Sequence, residues 1–284
     1  MTENCKLNLE KHPRKATLCW NPILVAWLIF GYTSGCFGQS EEKNISDESL
    51  ERRFLFELSY TDTDTFEGIV DVFAPGFTWL VGPDLRVGGV MSYVSFEPSR
   101  ELQPFNESKT TGLGDSIFFI QYDWGSRLTA KPWIPDNAGA NLTILAPTGE
   151  PNGVLSSDLW GVGMSISWPL TYEPGWLVNP LVSYSFSFSE GPGAEPFKVF
   201  EIAVGLVKVF PSRFWIGYTP VYWLDLDDNS SNYDDFLTIG KMFKNGMGVG
   251  LEYGVITRQS RLFAKYDKSF LLNFYYQFGE YGNK

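Results

Sequence analysis

Histidine is nearly absent from this sequence, one in 284 residues, and all three cysteines fall within the first 36. The lone histidine, His12, sits beside Lys11, Arg14 and Lys15 near the start of the chain. Past that leading segment there is no imidazole to activate a nucleophilic serine and no imidazole or thiolate to bind a metal. Disulfide staples are excluded in the same way. Charge is sparse, at 19% of residues, and leans acidic, with 22 Lys and Arg against 33 Asp and Glu. A net charge of −11 leaves no electrostatic footprint for nucleic acid. Long hydrophobic runs are missing too. The most apolar stretch, Ala16 to Phe30, is broken by Asn21 and Pro22 and falls short of the ~20 apolar residues that a spanning helix needs.

What the chain has is aromatics, at 17%, and 28 glycines, yet its mean hydropathy is only −0.11. Many large side chains without overall hydrophobicity suit a membrane β-barrel, where one face of each strand is apolar and the other is not. Residues 1–38 read as a signal peptide, with Lys6, Lys11, Arg14 and Lys15 as the basic region before the apolar core. Cleavage after Gly38 is expected, with lipidation of Cys36 in Thr33-Ser34-Gly35-Cys36 as the alternative. Without those residues the chain keeps 18 basic against 31 acidic residues, a balance of about −13. Residues 39–53 are polar and aperiodic and are expected to form a flexible periplasmic extension.

From Phe54 onward the pattern has period two. Trp160, Val162, Met164, Ile166 and Trp168 alternate with Gly161, Gly163, Ser165 and Ser167. Met247, Val249, Leu251, Tyr253 and Val255 alternate with Gly248, Gly250, Glu252 and Gly254. A soluble sandwich alternates too, but its polar face meets bulk water and carries Lys, Glu and Thr rather than Gly and Ser. Small inward residues fit a closed barrel whose interior takes up water, loops or a ligand. Tryptophans at both ends of one strand, Trp160 and Trp168, fit the aromatic girdles of the two membrane interfaces.

Strands are expected near 54–60, 66–81, 84–96, 112–124, 131–146, 159–170, 176–189, 198–210, 213–226, 233–243, 246–257 and 263–278. Their connections alternate in length. Short ones occur at Gly82-Pro83, Tyr172 to Gly175, Pro211-Ser212 and Asn245, with a somewhat longer one near 125–130. Long polar ones fall at 97–111, 147–158, 190–197 and 227–232. This predicts an all-β fold: a transmembrane antiparallel up-and-down β-barrel of about 12 strands, of outer-membrane type, over residues 54–278. Short turns and both termini then lie on the periplasmic side, with 279–284 as a C-terminal tail. Pro180 and Pro220 fall inside predicted strands, where each removes a ladder donor.

Parity selects candidate lumen residues. With Phe118, Ile120, Tyr122 and Trp124 outward, Asp115, Gln121 and Asp123 turn inward, and Glu201 and Glu252 turn inward between their apolar neighbours. Asn179 completes the set. A ring holding these acids is expected to favour cations. Acid–base chemistry by the carboxylates is formally open. Hydrated and paired charges are nonetheless common in barrel lumens, so no catalytic residue, metal or cofactor is assigned. Asp225, Asp227, Asp228, Asp234 and Asp235 lack the spacing of a calcium-binding EF-hand loop and are expected to form a solvated outer loop that bridges to lipopolysaccharide through divalent ions. At the C-terminus Phe270, Leu272, Phe274, Tyr276 and Phe278 share one face. Phe274, Tyr276 and Phe278 resemble the terminal aromatic signal by which the barrel-assembly machinery recognises its clients.

Gly112-Leu113-Gly114-Asp115 opening a strand, Leu145-Ala146-Pro147-Thr148-Gly149 closing another, and the aromatic final strand together form a pattern. It resembles the outer-membrane proteins grouped with the MetA pathway of phenol degradation. The resemblance runs from about Phe54 to Phe278 and implies an outer-membrane barrel that takes up small aromatic compounds, with no catalytic residues. The function expected is a channel or transporter for small, hydrophobic or aromatic, solutes in the bacterial outer membrane, with outer-membrane lipid, the assembly machinery and the solute as partners. One alternative is a closed structural barrel, its lumen filled by Ile117, Phe119, Leu181 and the N-terminal segment. A barrel enzyme and a soluble periplasmic β-domain are the others.

Overall fold

Alternation of large and small side chains becomes, in the computed structural model, a closed antiparallel barrel. The structure describes residues 54–65, 68–81, 84–98, 109–124, 138–149, 155–172, 175–189, 196–227, 229–243, 247–258 and 266–278. The expected signal peptide, the 39–53 extension and the 279–284 tail lie outside the described residues. Every element among the described residues is a strand: β1 (Phe54–Thr65), β2 (Gly68–Leu80), β3 (Leu85–Pro98), β4 (Thr110–Asp123), β5 (Gly139–Ala146), β6 (Gly161–Ser167) and β7 (Leu170–Tyr172). They are followed by β8 (Trp176–Ser187), β9 (Lys198–Val209), β10 (Phe214–Asp225), β11 (Ser231–Met242), β12 (Met247–Arg258) and β13 (Tyr266–Phe278).

Sequential strands other than β6 and β7 pair antiparallel, and β1 pairs with β13 while β6 pairs with β8, which closes the sheet on itself. β6 and β7 are two halves of one span, broken at Trp168-Pro169 and both paired with β8, which makes twelve spans of the thirteen elements. Closure satisfies the backbone groups that hydrocarbon cannot.

The prolines sit where ladders lapse. Pro180 lies opposite the break between β6 and β7, and its carbonyl accepts the Trp168 N–H at 2.9 Å. The β9–β10 ladder skips Thr219 and Pro220, and the β2–β3 ladder skips Ala74 and Pro75. Each missing donor thus falls beside an existing gap. The first strand runs to Thr65 rather than ending at 60. Thr61 and Thr63 face in and are buried while Asp62 and Asp64 face out, a polar alternation that carries no hydrophobic signal. Residues 131–137 of the expected fifth strand lie outside the described residues.

Outward positions are apolar all round, including Phe73, Phe77, Met91, Phe118, Ile120, Met164, Ile166, Leu237 and Ile239. A continuous apolar exterior on this scale is a lipid-facing surface rather than a water-facing one. Aromatics mark both rims. At the rim with the shorter turns, the rings of Phe210 and Phe214 meet at a tilt with centres 5.8 Å apart, and Lys208 reaches over Trp176, its Nζ 5.3 Å from the ring centre. At the other rim Trp160 meets Phe188 at 6.4 Å.

Candidate functional site in the barrel lumen

Inward side chains on alternate positions line the lumen. Asp115, Gln121 and Asp123 on β4, Asn179 on β8, Glu201 on β9 and Glu252 on β12 all occupy the inner face. They do not form one ring. Asp123 and Gln121 lie at the short-turn end, where Gln121 Nε2 donates to Asp123 Oδ1 at 2.8 Å and Arg86 Nη2 lies 3.2 Å from Oδ2. Gly139 makes room for this carboxylate, since a Cβ there would stand 2.7 Å from Asp123 Oδ1 and 3.0 Å from the Tyr122 carbonyl oxygen. Glu201 is 3% exposed and accepts the Ser183 hydroxyl at 2.7 Å through Oε2, while its Oε1 has no partner among the described residues. Asn179 is buried opposite Gly205 on β9. Glu252, half-buried, faces in between Gly250 and Gly254.

Three further acids that the sequence reading did not turn inward are buried on the inner face: Glu57 on β1, Asp225 at the end of β10 and Asp234 on β11, whose outward neighbours Phe56 and Leu58, Leu224 and Leu226, and Tyr233 and Asp235 carry the parity that would have found them. Asp234 accepts Trp223 Nε1 at 2.9 Å and Asn232 Nδ2 at 3.0 Å. The expected solvated acidic loop is thereby corrected. Asp225 and Asp234 are buried inside the barrel, Asp227 pairs at the rim with Lys198 at 2.9 Å, and Asp235 faces outward to the Tyr218 hydroxyl. Asp228 lies outside the described residues. Strand alternation sends neighbouring acids to opposite faces, and among the described residues no three of His, Cys, Asp or Glu gather as a metal site. Against the inward acids, Arg86 on β3 is an inward base.

Asp115 is not an open-lumen charge. Met91 pairs with Ser116 and Tyr93 with Leu113, so Gly114 and Asp115 together oppose Ser92 in a β-bulge, and the extra residue turns both inward. Gly114 is required because a Cβ would run into the Ser92 hydroxyl and Val94. Ser92 Oγ donates to the Asp115 carbonyl oxygen at 2.9 Å. The carboxylate accepts four bonds: Oδ1 from Gly149 N at 3.2 Å and Ser156 Oγ at 2.7 Å, Oδ2 from Ser157 N at 2.7 Å and Ser157 Oγ at 2.5 Å. Thr148 Oγ1 lies 2.7 Å from Ser116 Oγ. The Gly-Leu-Gly-Asp and Pro-Thr-Gly motifs are thus two sides of one site.

That site sets the lumen. Leu155 and Leu159 are fully buried in a cluster with Val70, Val94, Phe96, Ile117 and Leu145 from β2 to β5 and with Val199, Ala203, Val221, Trp223 and Phe236 from β9 to β11. In the closed order these two arcs are separated by β6 and β8 on one side and by β12, β13 and β1 on the other. Their common cluster therefore crosses the lumen, toward the end with the longer connections.

Nor do the glycine faces leave clear space. A Cβ on Gly240 or Gly250 would meet the Trp215 ring, one on Gly248 the Tyr275 ring, and one on Gly88 the Phe119 ring. Inward aromatics lie flat in glycine hollows of the neighbouring strands. Ile117 and Leu181 are buried on the inner wall.

No family model matches the sequence, and neither does any curated protein. Solved structures do. A crystal structure of an outer-membrane channel from Pseudomonas putida F1 is similar over 84% of this chain and 100% of its own, at TM-score 0.59 and 13% identity. The fold is that of an outer-membrane β-barrel. The KdgM and NanC porins each cover 78% of this chain at 10% identity and TM-score 0.49, over 99% and 100% of their own lengths. Likeness at such identity speaks to architecture, and function has to be argued from the lumen itself.

Proposed function

We propose that this chain is a bacterial outer-membrane channel or transporter for small hydrophobic or aromatic solutes, related to the barrels grouped with the MetA pathway of phenol degradation. One observation carries the reading: a closed barrel with an apolar exterior holds an apolar cluster inside its lumen. Val70, Val94, Phe96, Ile117 and Trp223 offer a small aromatic solute an apolar surface to bury against, which a hydrated ion does not gain from. The outward side chains suit outer-membrane lipid. Phe274 and Tyr276, exposed on the lipid face of β13, and Phe278 at its end support recognition by the assembly machinery. No catalytic residue, cofactor or metal enters the reading.

A closed structural barrel is the second reading, and the fully buried Leu155 and Leu159 inside the lumen favour it. Planar-bilayer recording of the purified, refolded protein, with uptake of a labelled monocyclic aromatic into vesicles, separates the two. Conductance steps or uptake support transport. Folded protein that gives neither moves the assignment to the structural barrel.

A further inference from the structure

We propose that Asp115 is the latch of a built-in closure: its carboxylate holds Leu155 and Leu159 across the lumen, and releasing it opens that half of the barrel. The proposal rests on the channel reading and names how that channel is shut. Of the four donors to the carboxylate among the described residues, one is Gly149 N, just after β5, and three belong to Ser156 and Ser157, which lie between the two leucines. Both serines relay the hold. Ser156 Oγ also accepts Asp158 N at 3.1 Å, and Ser157 Oγ accepts Leu159 N at 3.3 Å. Asp158 has φ of 56°, a left-handed turn conformation that aspartate adopts more readily than most residues with a side chain.

No ladder does this work. The β4–β5 pairing ends at Ser116 with Ala146 and the β5–β6 pairing at Leu145 with Gly161, so Leu155 to Leu159 project from the wall between two ladder ends. The Asp115 bonds and apolar contact both act on them there. A carboxylate with four donors is a strong anchor, and one that is weakened when the carboxylate or its serine hydroxyls are replaced. The closure it maintains is apolar, and such a constriction stops ions by excluding water.

The test uses the full chain with Leu159→Cys in outer membranes, reacted with a membrane-impermeant, charged thiol reagent and corrected for labelling of the chain without that cysteine. With Asp115 intact, position 159 should react slowly, as its zero exposure requires. Adding Asp115→Asn should speed labelling at least tenfold in barrel that retains its heat-sensitive gel mobility. Ser156→Ala with Ser157→Ala, which leaves the carboxylate in place, should do the same more weakly, and decides the matter if Asp115→Asn fails to assemble. Labelling that stays slow in the folded variants overturns the latch, whatever the conductance. Faster labelling without any rise in single-channel conductance upholds the latch and counts against the channel reading.

Discussion

Gly248→Ala tests whether the small inner face is a hollow filled by an aromatic ring or an open path. A Cβ at 248 would collide with Cε2, Cζ and Oη of Tyr275, and these three side-chain atoms are its nearest neighbours. Overpacking of this kind costs about 1–3 kcal/mol. The same change relieves the strand of a glycine, worth roughly 0.5–1 kcal/mol in the opposite direction. Gly248→Ala should therefore destabilise the barrel by up to about 2.5 kcal/mol while Tyr275 is present. In a Tyr275→Ala background the collision is gone, and the glycine change should stabilise by roughly 0.5–1 kcal/mol. The coupling between the two positions is then the overpacking energy itself, about 1–3 kcal/mol. Urea unfolding of refolded protein in lipid vesicles, followed by tryptophan fluorescence, measures all four corners of the cycle. If Gly248→Ala has the same effect in both backgrounds to within ~0.5 kcal/mol, the ring does not occupy the glycine hollow and the lumen is wider than described.

Glu57→Gln with Glu252→Gln should lower the cation preference of a conducting barrel, read from reversal potentials across a salt gradient, because both acids face the lumen. The difference should shrink near 1 M salt, where the Debye length is about 3 Å, and unchanged selectivity at low salt would show that these charges do not border the path. The protein should fractionate with outer membranes and shift in apparent mass on heating in detergent, whereas recovery in the soluble periplasmic fraction contradicts the lipid-facing exterior. Phe278→Ala with Tyr276→Ala should reduce the amount of assembled barrel. Wild-type levels of the double variant would put the assembly signal elsewhere.

Much of the architecture was legible because strand parity is a local property. Alternate side chains point to opposite faces whatever the strand pairs with, so Trp160 to Trp168, Phe118 to Asp123 and Met247 to Val255 sorted themselves into outer and inner sets. The same rule turned Gln121, Asp123, Glu201 and Glu252 inward. Where alternation involved polar residues alone, as at Thr61 to Asp64, the strand was cut short. Asp225 and Asp234 were taken for loop residues because a run of acids reads as solvated, although parity with Tyr222, Leu224, Tyr233 and Asp235 buries both.

By itself, then, the sequence determined a cysteine-poor chain of alternating strands with an apolar lipid face, because composition and period two need no knowledge of partners. The tertiary structure alone decided what the inner face does. Asp115 reads from the sequence as a lumen charge, yet Ser156 and Ser157, some forty residues away, consume its carboxylate. Leu155 and Leu159 lie in an aperiodic stretch, and only closure of the sheet brings β2 to β5 opposite β9 to β11 so that the leucines can bridge them. Gly240 and Gly250 suggest space until register sets Trp215 over both. Each of these depends on which strands are neighbours and at what stagger, a through-space relation that a pattern along the chain does not encode.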